Sequence, residues 1–498
     1  MNRRAFLGGL CLLSCGDARA NHVWTPQLFG AVADGRYHPL HERFGSLNAA
    51  QALYPHASSL EDSIDWAAIQ AALHQIAKGG GGQLYLPSGH YVTASWLIVP
   101  SNCRITGDGP DTHIENIKRE GANNDRSVFH FGNFHPAHFG RRPVGSNDPY
   151  SRKVELYRSG SVDLSSTSVG LEQFYDAGSF LVGEIVVVSD RIAINQLSTG
   201  EDLQIPINST VTKIRGTDEE SGRIEFVDSV GFFASRTYVA RIPPAAQDSF
   251  GPISIVDNSH IENLSVKAHS IISNCSAAYD SSIKNVGGVV EWMIQGNSFT
   301  KCSFSNFTQK FRRGVVEVKF AASHTIVSDI VGLQEGQRQQ SMGLICIGEY
   351  CRNISISNFE ITADNWSGGP CVQMQPGMDC HIYDGTIRAR NSTHIPLMFY
   401  ADRGRSIENC TVRRVDFHSG SRHGIVFGGE GAFGPVRCGA YQCRFFSEND
   451  AGDGIAVTVN GGSQCEVVEC LFEKSEAVRI SKSKGTRLQG NVFLPQAP

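Results

Sequence analysis

The sequence predicts an all-β solenoid with an N-terminal capping helix and a β-rich subdomain inserted after the first coils. Three observations predict it. A turn-forming position recurs through the C-terminal half at steps of 21–33 residues. Short strands with alternating apolar residues recur in phase with it. One helical segment, closed by the four glycines Gly79 to Gly82, precedes the first pair of strands.

The elements follow in chain order. Met1 to Ala20 has a charged start with Arg3-Arg4, a short apolar run to Leu13 and small residues at Ala18-Arg19-Ala20. These are the features of an export signal, and the paired arginines resemble a twin-arginine leader. Cleavage after Ala20 is the first expectation; lipoprotein processing at Cys15 is the alternative. Residues 22–60 read as irregular. Over 62–78, Trp66, Ile69, Leu73 and Ile76 recur at helical spacing, and Asp62 or Ser63 can cap the start. Residues 84–92 then read as strand, turn and strand. The region 21–133 is taken as the cap and first coils, 134–250 as a β-rich insertion, and 251–498 as the coils proper. Within the insertion, 180–188, 210–214 and 222–227 are strand-like.

The recurring turn position falls on Asn263, Asn285, Asn306, Asp329, Asn358, Gly385, Cys410, Cys443, Cys470 and Asn491. Asn, Asp and Gly suit a bend with positive φ. Repeats of this length cannot bury their apolar faces alone, so they stack. The leading strand of each coil is expected at 290–294, 316–320, 344–347, 372–374, 397–399, 425–427, 455–457 and 478–480. The chain has 14 cysteines, two of them in the signal. Three of the rest lie in the turn column, so they read as small stacked residues, not as a disulfide framework.

Phe29-Gly-Ala-Val-Ala-Asp-Gly35, Asp65-Trp-Ala-Ala-Ile-Gln-Ala-Ala72 and Gly80-Gly-Gly-Gln-Leu-Tyr-Leu-Pro-Ser-Gly-His-Tyr91 together resemble the N-terminal region of the pectate-lyase-like superfamily. The likeness is close over about the first 115 residues and rests on the repeat alone thereafter. It implies a right-handed parallel β-helix whose open end the helix caps. That superfamily holds polysaccharide lyases, glycoside hydrolases and tailspike depolymerases, so it implies a polysaccharide partner and leaves the reaction and a homotrimer open.

Stacked coils bring matching residues about 4.8 Å apart. On the expected outward face, Glu291 and Glu317 fall in register, as do Asp402 and Glu430. Paired carboxylates suit glycoside hydrolysis, one as acid and one as base or nucleophile. His423 and Asp453 form a second candidate pair. Their segments resemble polygalacturonase-type Gly-His-Gly and Asp-Asp motifs, but the chain order is reversed and one Asp is missing, so that mechanism is not carried over. A band of arginines between 388 and 422, with Arg422 at its end, suits an anionic sugar. A uronate lyase is the rival reading. It needs a base such as Lys319, Tyr400 or His423, and neutralisation of the uronate by cations or Ca²⁺. Hydrolysis requires no cofactor. Arg312, Arg313, Gln373, Gln375 and Tyr400 complete the expected sugar contacts, and a gripping adhesin without catalysis is the third reading.

Formal net charge is −5; without residues 1–20 it leaves 41 basic against 48 acidic residues. That balance argues against nucleic-acid binding. No segment of the mature chain has the length and apolarity of a membrane span.

Overall fold

The computed structural model describes residues 23–117, 127–132 and, with short internal exceptions, 155–241 and 255–494. The expected export signal, with Cys15, lies outside them. Among the described residues no helix is long and apolar enough to cross a membrane.

The cap begins with a helix that the irregular reading of 22–60 did not expect, α1 (Leu47–Leu53). The second helix, α2 (Ile64–Lys78), starts where Ser63 Oγ accepts the Trp66 N–H. Asp62 instead accepts the N–H groups of Ser58 and Ser59, at 2.7 and 2.8 Å. Ile69, Leu73 and Ile76 enter the solenoid core, while Ala67, Ala68 and Ala71 pack on Leu40 and Tyr54. Asp65 explains the Phe29–Gly35 motif physically. One carboxylate oxygen accepts from Val32 and Ala33 N–H, and the other from Val92 N–H at 3.0 Å. Burial raises the pKa of Asp65, and the three backbone donors only partly offset this. One buried side chain thus ties the entry loop, α2 and the first coil together.

The coils stack as three long parallel sheets. Sheet A holds Gly82–Leu86, Cys103–Gly107, then 260–262, 282–284 and 303–305, and continues to Arg487–Gln489. Sheet B holds Gly89–Thr93, Thr112–Asn116, then 264–270, 286–290 and 307–311, and runs to Val492–Leu494. Sheet C holds 292–297, 314–319, Ile345–Ile347, Val372–Met374, Leu397–Ala401, Ile425–Gly429, Ile455–Asn460 and Ala477–Ser481. The core between them is continuous from Ile69 to Phe472. Its late coils repeat one residue type: Phe417, Phe445, Phe472 and Phe493 stack at 5.0, 4.9 and 5.3 Å with near-parallel rings.

Two left-handed turn ladders run up the molecule. The first separates sheets A and B: Asn263, Asn285, Asn306, Asp329, Asn358, Asp384, Arg414, Gln442 and Glu469 all have φ between 52° and 59°, and Gly490 follows at 66°. The sequence column matches the first five. It is four residues early at Cys410 and one residue late at Gly385, Cys443, Cys470 and Asn491. The second ladder was not foreseen. It precedes sheet A at Asn102, Asn258, Asp280, Lys301, His324, Asn353, Asp379, Asn409, Arg437 and Gln464. Side-chain amides link successive steps, as in Asn285 Nδ2 to Asn263 Oδ1 (2.8 Å) and Asn306 Nδ2 to Asn285 Oδ1 (2.6 Å).

The cysteines follow these ladders. Cys103, Cys302, Cys380, Cys410, Cys438 and Cys465 each come directly after the second ladder, and Cys443 and Cys470 directly after the first. All described cysteines are free and buried, as stacking requires.

The segment between the early coils forms a six-stranded antiparallel sheet from Glu155–Ser159 to Thr237–Arg241. It packs on the second ladder. Val187, Val211 and Ala240 meet Ile255, Ala277 and Tyr279. Tyr279 Oη donates to Asp228 at 2.7 Å, Lys213 pairs with Asp257 at 2.7 Å, and Arg352 donates to Val230 O at 2.8 Å.

Candidate polar site at the corner of sheets B and C

The sites expected from the sequence rest on register, and register is where structure and expectation part. Sheet B passes into sheet C through a bulge: Val290 pairs with Phe311, but Trp292 pairs with Gly314. Trp292 lies over Gly314 and leaves no room there for a side chain. The partner of Glu317 is therefore Gln295, not Glu291. The expected pairing was four residues out, and Glu291 and Glu317 do not form an in-register pair.

Glu317 instead forms a buried ion pair with Lys319 on its own strand, and Gln295 Nε2 donates to its other oxygen at 2.5 Å. At 3% exposure Glu317 has little access to a polymer. Gln373 does follow in the same outward column, paired with Cys346 and Met398, and Gln375 and Tyr400 stand beside it, half-buried. His423 precedes the Ile425–Gly429 strand, with its backbone N–H donated to Ser421 Oγ. Asp402, Arg422, Glu430 and Asp453 lie outside the described residues. Ala401 and Gly429, which come just before Asp402 and Glu430, are partners.

Glu291 belongs to a different constellation. It sits at the corner where sheet B ends, 7% exposed, with Arg313 Nε at 3.0 Å and His269 Nδ1 at 3.1 Å from one oxygen. Alongside opens a cavity of about 230 Å³ lined by Glu115, Lys267, His269, Glu291 and Arg312. Glu115 holds Lys267 Nζ at 2.7 Å and His90 Nε2 at 3.1 Å. Burial pushes the pKa of Glu115 up, but Lys267 and His90 outweigh it, and the net shift is downward. Behind it, His113 faces His90 across one coil step, with ring centres 4.5 Å apart. Burial, then the His90 charge, lowers the pKa of His113. Arg312 also reaches Glu335 at 3.7 Å.

No protein-family model matches the chain. Solved structures do. The tailspike gp61 of Pseudomonas phage phi297 aligns over 96% of this chain and 76% of its own, with TM-score 0.51 and 17% identity. The tailspike gp49 of Pseudomonas phage LKA1 aligns over 95% and 82%, with TM-score 0.52 and 16% identity. The fold is the right-handed parallel β-helix.

Of the expected arginine band, Arg403, Arg405 and Arg422 lie outside the described residues, and the described members have partners on neighbouring coils. Arg388 pairs with Glu360 and Arg414 with Asp384, both at 2.5 Å, and Arg413 stacks over Tyr441. Arg388, Glu360, Arg414 and Asp384 line a shallow groove of about 600 Å³ on sheet B, not on sheet C. Calcium, which a lyase would call on, needs an all-oxygen cradle. Among the described residues the one cluster with metal-ligand spacing is His90, His113 and Glu115, whose two imidazoles do not suit that ion.

Sequence reasoning reached Glu291, Arg312 and Arg313 but missed Glu115, Lys267 and His269. A usable signal existed. Val266 to His269 is the outer end of a sheet-B strand, and Glu115 and Lys267 are in register on neighbouring coils.

Proposed function

We propose that this β-helix binds an acidic polysaccharide at the corner of sheets B and C and cleaves it. The observation that carries the reading is the cavity in which Lys267, His269 and Arg312 stand with Glu115 and Glu291. Cations at that spacing suit the carboxylates of successive uronate residues. The tailspike likeness supports the polysaccharide-active class and no particular reaction.

Two chemistries fit such a cavity unequally. Hydrolysis needs one carboxyl protonated at the working pH. Glu115 is held by Lys267 and His90, which favours its ionised form. β-Elimination needs a base for the proton beside the uronate carboxylate and positive charge to stabilise the resulting anion. His269 Nδ1 lies 3.1 Å from Glu291, which leaves Nε2 for proton transfer. Arg312 and Lys267 supply the charge. Elimination at His269 is therefore the preferred reaction, and hydrolysis by Asp402 and Glu430 is the second.

The test is a panel of acidic exopolysaccharides and pectic polymers, followed by reducing ends and ultraviolet absorbance together. Elimination raises both signals, because it leaves an unsaturated end. His269→Ala is expected to lower turnover about 10²- to 10⁴-fold while polymer binding persists. Reducing ends without absorbance transfer the reading to hydrolysis. A polymer that binds and yields neither signal overturns catalysis and leaves a gripping protein.

A further inference from the structure

His90, His113 and Glu115 have no role in the reaction above beyond the hold on Glu115, yet their arrangement is specific. His113 and Glu115 are alternate outward residues of the strand Thr112–Asn116, so both project from one face of sheet B. His90 is the register partner of His113 one coil earlier. One ligand atom from each of the three lies within 4.8 Å of the others. Two further contacts orient the rings. Ser265 Oγ lies 3.1 Å from His113 Nδ1, which leaves Nε2 as the atom open to a ligand. His90 turns Nε2 to Glu115, and its Nδ1 faces Gly35, where a Cβ would lie only 2.8 Å away. Gly35, at φ 82°, thus gives the ring its seat.

We propose that His90, His113 and Glu115 form a binding site for a divalent transition metal of the zinc class. Two imidazoles and one carboxylate are a borderline donor set that suits Zn²⁺, Fe²⁺ or Co²⁺ and not calcium or magnesium. Two bonds near 2.1 Å to one ion span at most about 4.2 Å, so ligand atoms that lie within 4.8 Å of one another need only a small side-chain movement to close on it. Three protein ligands leave at least one position open, and Glu115 stands at the rim of the cavity described above. Lys267 competes for the same carboxylate, so its ammonium weakens the ion's hold.

The experiment uses the tag-free chain, stripped with chelator and titrated with Zn²⁺ by calorimetry and with Co²⁺ by visible absorbance. One Zn²⁺ per chain is expected, with Co²⁺ ligand-field bands that Zn²⁺ abolishes. The double variant His90→Gln/His113→Gln should lose the site. Glu115→Gln should weaken it by at least the roughly 10–100-fold that losing an outer-shell partner costs. Lys267→Met should bind more tightly than the unaltered chain, an effect that a merely structural cluster would not give. X-ray absorption of the zinc-loaded unaltered chain should show two imidazoles, and this holds even if a variant fails to fold. Absence of stoichiometric uptake, uptake that survives in a folded double variant, or an absorption spectrum without imidazole each overturns the site.

Discussion

The early coils around Glu291 and the late coils around Phe445 are built from the same sheets but differ in kind. In the late coils core positions repeat their chemistry. Phenylalanine lies on phenylalanine from Phe417 to Phe493, and Cys380, Cys410, Cys438 and Cys465 follow one another at the second turn ladder. In the early coils the outward positions change at every step. His113 is succeeded by Ser265, Glu115 by Lys267, and a bulge re-aims Glu291 at the corner. Stacking a repeat is the cheapest way to hold a β-helix together, and breaking it is how distinct groups are made to converge. The candidate site lies where the repeat is broken.

Substitutions can press on that contrast. Phe445→Ala, in the middle of the aromatic stack and 4% exposed, should cost about 3–5 kcal/mol and be the most damaging single change to the late coils. Chemical unfolding, followed by circular dichroism, would measure it; a loss under about 1 kcal/mol would mean the stack is not a structural unit. Lys319→Met deprives the buried Glu317 of its cation and should cost about 3 kcal/mol. Here the outcome separates roles: destabilisation with unchanged turnover makes Glu317 and Lys319 structural, whereas lost turnover in a stable protein restores them to the site. Asn306→Ala keeps a Cβ at φ 58° but removes the amide that donates to Asn285, and should cost about 1–2 kcal/mol, with Asn306→Gly milder.

The smallest effect is a pH dependence. Glu262 joins Arg104 and Lys284 across three coils, the latter at 2.9 Å. Burial raises its pKa, but Lys284 and Arg104 more than compensate and bring it below the usual 4.5. A lowered carboxylate pKa stabilises the fold above the unfolded value. That contribution is lost as pH falls through the lowered one. Melting temperatures compared between pH 6 and pH 3 should therefore fall less for Glu262→Gln than for the unaltered chain, once the common acid loss is subtracted.

How much of this the sequence could reveal depended on the repeat. The solenoid, the helix over 62–78 and the sheet-C strands at 372–374, 397–399 and 425–427 were legible, because Val372, Leu397 and Ile425 recur in strict register. The turn ladder was legible through its first five steps, all Asn or Asp. It slipped by one residue at Asp384, beside Gly385, and again where Arg414, Gln442 and Glu469 take the left-handed bend, since none of these three advertises a positive φ. Cross-coil partners hold them there, as Asp384 does for Arg414 and Gln442 for Glu469. The corner site was only half legible. The spacing of the repeat placed Glu291 opposite Glu317, whereas the observed register pairs Glu317 with Gln295 and ends sheet B at the bulge beside Glu291.

The buried thiols carry one last consequence. Eleven cysteines among the described residues are free and sealed, and burial pushes those of Cys302, Cys371 and Cys465 up to about 12. The thiolate is the nucleophile that attacks disulfides and oxidants, so these three thiols are chemically quiet in the closed coils. An open chain has no such shelter, and its many thiols can cross-link in the wrong pairs within seconds to hours. In an oxidising medium, then, the coils must close before their thiols are oxidised.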